Sequence, residues 1–170
     1  ASLTRDTDGV FRLRRTKPRH SRSNLQEIGR IRDAMLLMPE TVGESLNAFA
    51  RQGYPHETCG LLLGVRRGDE HVVSRVHRAR NLNVERAEDR YELDPADFLA
   101  ADREARAAGL DIVGIWHSHP DHPARPSATD RDGAWPEWSY LIVAVGREGV
   151  GEIRSWRLNG GDFEEETIKS

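Results

Sequence analysis

Between His117 and Asp130 the chain reads His117-Ser118-His119-Pro120-Asp121-His122-Pro123-Ala124-Arg125-Pro126-Ser127-Ala128-Thr129-Asp130, which gathers imidazoles, a hydroxyl and a carboxylate in one short segment. Residues i and i+2 of an extended strand point to the same face, so His117 and His119 can aim both rings at one point while Ser118 faces away. Pro120 cannot continue a hydrogen-bond ladder, and Pro123 and Pro126 stiffen the loop so that Asp130 can return to the same point. Two nitrogens and one oxygen, with a fourth position left for water, suit a catalytic rather than a structural zinc. The chemistry expected there is activation of water for hydrolysis.

Hydrolysis also needs a base that is not a ligand. Glu57 leads the apolar run Thr58-Cys59-Gly60-Leu61-Leu62-Leu63-Gly64-Val65 as its only charged residue. Burial there would let it take a proton from the attacking water and pass it to a leaving amine, a role worth about 10² to 10⁴ in rate. Ser127 is the candidate for steadying an oxyanion, where losing one donor costs on the order of 10² to 10³ in turnover. Each residue also has a plainer reading. Ser127-Ala128-Thr129-Asp130 matches a Ser-x-x-Asp helix start, which alone would explain both polar residues. A bare His-x-His pair arises by chance, and Glu57 by itself could be an exposed strand end. His122 is expected to be exposed, and Cys59 to be core rather than reactive.

The elements that must hold these residues can be read from hydrophobic patterning. Met35-Leu36-Leu37-Met38, closed by Pro39, reads as the first strand of a domain. Val42, Leu46, Phe49 and Ala50 share a helical face that ends at Gly53, where a left-handed cap suits glycine. The run from Glu57 to Val65 reads as a buried strand, turned at Gly68-Asp69 into an antiparallel partner over His71–His77, with both of these histidines exposed. Arg80 to Arg90 reads as loop and Tyr91-Glu92-Leu93 as a short strand. Asp94 caps a helix that has Pro95 in its first turn and runs to Gly109, burying Phe98, Leu99, Ala101, Ala105 and Ala108. Asp111 to Trp116 is the most apolar strand and ends at His117. Tyr140–Val145 is a further strand, and Gly151–Leu158 with Phe163–Ile168 form a hairpin about Asn159-Gly160-Gly161. Strands and helices without strict alternation predict an α/β or α+β domain, a mixed sheet flanked by helices.

With 170 residues the chain suffices for one domain of the usual roughly 100 to 200 residues. Residues 1–34 carry a net +5 against a total of −3, which leaves −8 on residues 35–170. This predicts a basic N-terminal extension, extended or with a short helix from Asn24, followed by an acidic domain over 35–170. No apolar run reaches the roughly 18 residues that span a membrane. One cysteine excludes an intramolecular disulfide and multi-thiolate zinc sites. With no apolar stretch after the N-terminal arginines to suggest a secretory leader, a cytoplasmic location is expected.

Glu57 on an early strand, His117-Ser118-His119-Pro120, seven residues between His119 and Ser127, and Asp130 three further on closely resemble the JAMM motif of the MPN-domain metalloproteases. Glu57–Gly64 is similar to that family's first active-site strand, and Asp94-Pro95 with its helix before Gly114 resembles the compact prokaryotic members. The resemblance extends over about residues 35 to 168. It implies a cytidine-deaminase-like fold, one zinc per chain on His117, His119 and Asp130, Glu57 as general base, and Ser127 stabilising the tetrahedral intermediate. It further implies cleavage of the peptide or isopeptide bond after the C-terminal Gly-Gly of a ubiquitin-like or sulfur-carrier protein. The compact chain favours a small carrier. A nucleobase deaminase would need His-x-Glu and Pro-Cys-x-x-Cys, which the single cysteine and Ser118 exclude. The alternative is a zinc-containing MPN scaffold whose basic arm contacts a partner or nucleic acid; the acidic body weighs against nucleic acid. A homodimer is compatible with the sequence.

Overall fold

The computed structural model describes residues 2–5, 11–14 and 34–170. Near the N-terminus, β1 (Ser2–Arg5) and β2 (Phe11–Arg14) pair antiparallel. The helix expected from Asn24 lies outside the described residues. From Met35 onward the order is β3 (Met35–Leu37), α1 (Glu40–Gly53), β4 (Cys59–Arg67), β5 (Glu70–Ala79), α2 (Pro95–Ala107), β6 (Asp111–Pro120), α3 (Ala128–Asp132), β7 (Ser139–Gly146), β8 (Gly149–Asn159) and β9 (Asp162–Lys169).

The seven strands β3 to β9 form one mixed sheet in the order β3-β5-β4-β6-β7-β8-β9. It curls until β3 pairs parallel with both β5 and β9, which closes it as a barrel. Helices flank the sheet as expected. Val42, Leu46 and Ala50 of α1 pack with Leu36, Leu62, Val73, Trp116, Leu141 and Val143. Ala101 and Ala105 of α2 pack with Leu61, Leu63, Ile112, Trp138 and Tyr140 in a second cluster. Each large aliphatic side chain fully buried in this way contributes about 1.5 to 3 kcal/mol. Among the described residues no helix is long and apolar enough to cross a membrane.

Several local expectations are corrected. Gly53 ends α1 but is not left-handed; a Cβ there would run into the Thr58 methyl, so the glycine serves close approach. Leu99 and Ala108 are exposed, because α2 buries a narrow stripe of small residues. The Tyr91–Leu93 strand reduces to a single bridge between Asn81 and Leu93. His71 is buried rather than exposed, since the closed sheet turns its side chain inward beside Ser139. The cap on α2 is as expected: the Asp94 carboxylate accepts from Ala96 N at 2.7 Å, behind Pro95.

Candidate metal centre and catalytic cleft

β6 lies between β4, antiparallel, and β7, parallel, with Cys59 opposite His117. The ladder does not stop before the motif, because β6 runs through His117, Ser118 and His119 to Pro120, which still registers against Val145. A proline lacks only the N–H, so it can occupy the last position of a strand whose missing donor faces no acceptor. The chain then turns at Asp121, whose φ of 56° is left-handed, a region that Asp tolerates through its short polar side chain. Ser118, on the opposite face from the histidines, is fully buried. Its Oγ accepts from Thr58 N at 2.9 Å and sits 3.0 Å from Thr58 Oγ1, while Ser118 N donates to Thr58 O. That lock holds Glu57 against the histidine strand. Glu57 itself precedes β4 by two residues instead of starting it, since its backbone is bound by a loop: its N–H donates to Ala87 O and its carbonyl accepts from Asn81 Nδ2.

His117, His119 and Asp130 offer three ligand atoms within 4.8 Å of one another. The two imidazole Nε2 atoms are 3.0 Å apart, and Asp130 Oδ1 is 3.5 Å from His117 Nε2. Nδ1 of His119 lies 2.9 Å from the Pro123 carbonyl oxygen, which can only accept, so the proton sits on Nδ1 and the Nε2 lone pair faces the cluster. Asp130 divides its oxygens. Oδ2 accepts from Ser127 N and Ser127 Oγ, both at 2.7 Å, which leaves Oδ1 for the cluster. Imidazole lone pairs so close together repel unless a proton or a cation lies between them, and two imidazoles with one carboxylate oxygen fit zinc or a similar divalent metal. His117 Nδ1 is buried with no partner, and its ring is held instead by stacking on Tyr91, with centroids 4.7 Å apart.

The cluster opens into a cleft of about 520 Å³ lined by residues that include Glu57, Tyr91, His119, Ser127 and Asp130. Burial pushes the Glu57 carboxyl up to about 8, with Asp130 and then Asp89 adding to the shift and Arg90 opposing it. A bound divalent cation would draw it back down. Burial likewise lowers His117 to about 4, with Asp130 opposing and His119 assisting. All five residues expected from the sequence thus meet at one place. Ser127 caps α3 in a capping box: its Oγ accepts from Asp130 N at 3.2 Å while Asp130 Oδ2 accepts from Ser127 N. His122 is exposed on the cleft wall, outside the three-ligand group. Cys59 is fully buried and its thiol is pushed up to about 12 by burial first, then Glu57, so it is core. Sequence reading missed Tyr91, Asn81 and the Ser118–Thr58 lock. Only Tyr91 left a trace, as the aromatic residue that opens the short segment after the polar loop.

Fold and site together define a metallopeptidase-like class, a curled mixed sheet with a His-x-His and Asp cluster beside a buried glutamate. The family described as prokaryotic homologs of the JAB domain matches residues 39–159, and the chain belongs to that family. It is 35% identical to a desampylase of Haloferax volcanii over 74% of this chain and 88% of that protein. It is 30% identical to a CysO-cysteine peptidase of Mycobacterium tuberculosis over 79% of this chain and 90% of that protein. The solution structure of a protein from Desulfitobacterium hafniense superposes with a TM-score of 0.69 at 36% identity, covering 79% of this chain and 91% of that one.

Proposed function

We propose that this chain is a zinc-dependent peptidase or isopeptidase, acting in the cytoplasm on the bond after the C-terminal Gly-Gly of a ubiquitin-like or sulfur-carrier protein. The observation that carries this reading is the convergence, in one cleft, of the His117, His119 and Asp130 ligand atoms with the buried carboxyl of Glu57. Support for the substrate class comes from relatives named as a desampylase, a CysO-cysteine peptidase and a probable TtuB-protein conjugate cleaving protease.

One zinc per chain would be held by His117, His119 and Asp130, and when bound it would supply Lewis acidity and lower the pKa of water. Glu57 takes the proton of the attacking water and returns it to the leaving amine, so its carboxyl must be poised near neutrality. Ser127 donates its hydroxyl to the oxyanion of the tetrahedral intermediate, releasing Asp130 Oδ2 as it turns. Residues 1–34 form a basic extension to the catalytic domain of residues 35–170.

The test is to incubate zinc-loaded protein with ubiquitin-like proteins extended beyond Gly-Gly and weigh the products. Wild type releases the extension after Gly-Gly, and Glu57→Gln lowers the rate by about 10² to 10⁴. Undiminished hydrolysis by Glu57→Gln sinks the reading.

A further inference from the structure

Asn81 follows β5 and begins the loop that leads to α2, and it is half-buried. Its side-chain amide has two donors and an acceptor oxygen with two lone pairs, and all of this capacity is used. Nδ2 donates to Glu57 O at 3.2 Å and to Arg90 O at 3.0 Å. Oδ1 accepts from Asn83 N at 3.0 Å and from Glu92 N at 2.9 Å. Flipping the amide would set its oxygen against two carbonyls and its nitrogen against two N–H groups, so the partners fix its orientation.

These four bonds link two parts of the cleft that no other side-chain bond joins directly among the described residues. The bonds to Arg90 O and Glu92 N bracket Tyr91, whose ring stacks on His117 at 4.7 Å and 28°. The bond to Glu57 O grips the residue that carries the buried carboxyl. Leu82 N adds a backbone bond to Glu92 O at 2.8 Å, which keeps the two ends of the loop together. An Asn in a loop ordinarily satisfies its own neighbouring backbone, whereas this one spans residues 57, 83, 90 and 92.

We propose that Asn81 is a positioning residue for hydrolysis: its amide fixes the Glu57 backbone against the segment bearing Tyr91, and so sets the base relative to the His117 ring. The proposal rests on the reading of Glu57 as the base. Groups of this kind orient others rather than touch substrate, and losing one typically costs about 10- to 100-fold in activity.

Asn81→Asp keeps the shape and the acceptor for Asn83 and Glu92 while losing both donors. With zinc content equal to wild type and a cooperative melt, kcat should fall by about 10- to 100-fold with KM little changed. In a Glu57→Gln background the same substitution should cost little more, because the two act through one group. Asn81→Ser, which retains a hydroxyl, carries the same comparison if Asn81→Asp does not accumulate. A purely structural Asn81 would lower the melting temperature, leave kcat per folded molecule unchanged and add its full effect in the double variant. Either unchanged kcat or full additivity overturns the proposal. Full turnover by Glu57→Gln alone overturns the reading of the base, and the proposal falls with it; intact loss in Glu57→Gln beside undiminished Asn81 variants overturns the positioning role only.

Discussion

Among the described residues two histidines, His71 and His117, are buried, and each has its pKa pressed down to about 4, chiefly by loss of solvent. His71 is satisfied. Its Nδ1 sits 2.7 Å from Ser139 Oγ, both side chains are enclosed by the sheet, and Arg157 nearby is paired with Glu166 at 2.7 Å. His117 is unfinished. One ring nitrogen has no partner, and the other faces a second imidazole and a carboxylate at the floor of an open cleft. Burial and a displaced pKa therefore do not separate a structural histidine from a chemical one. Converging ligand atoms beside accessible space do.

That contrast can be broken by substitution. The largest effect belongs to the open site: His119→Ala or Asp130→Ala should lose stoichiometric zinc, read by elemental analysis, and drop turnover to background. Stoichiometric zinc in both variants would remove them as ligands. On the closed side, Glu166→Gln leaves Arg157 charged and buried, which should cost about 3 to 5 kcal/mol in urea unfolding with turnover per folded molecule unchanged. A fall in turnover there would blur the division between the two regions. Ser127→Ala should keep its zinc and lose on the order of 10² to 10³ in turnover. If turnover is intact, Ser127 is reduced to a helix cap worth about 1 kcal/mol.

The smallest expected effect sharpens the closed half. The folded pKa of His71, about 4, lies below its ordinary 6.5, so the native state binds fewer protons than the unfolded chain between those values. The stability of the neutral ring is complete above the unfolded value and is lost as pH falls toward 4. Urea melts in chelator from neutral to acid pH should show a shallower slope for His71→Gln than for wild type. Equal slopes would mean that His71 is not held neutral.

The sequence exposed most of the site because the chemistry is concentrated. The three candidate ligands and Ser127 lie within one segment, and Glu57 stood out as a lone acid before an apolar run. The same reading misjudged His71, since period-two patterning assigns faces without saying whether the second face is also covered. It also missed the closure of the sheet, which rests on a three-residue strand paired on both sides, too short to carry a pattern of its own. Asn81 and Ser118 were illegible for a related reason. Their work is done by bonds to backbone atoms distant in sequence, which leave no periodicity.

The division of labour within Asp130 has a consequence for ion choice. With Oδ2 occupied by the cap of α3, the carboxylate presents a single oxygen to any cation beside the imidazoles. Calcium favours many oxygens and often a bidentate carboxylate, and magnesium an octahedron rich in water. A one-toothed carboxylate beside two imidazoles would penalise both, so a five-residue helix that looks like mere punctuation would act as a filter on any metal bound there.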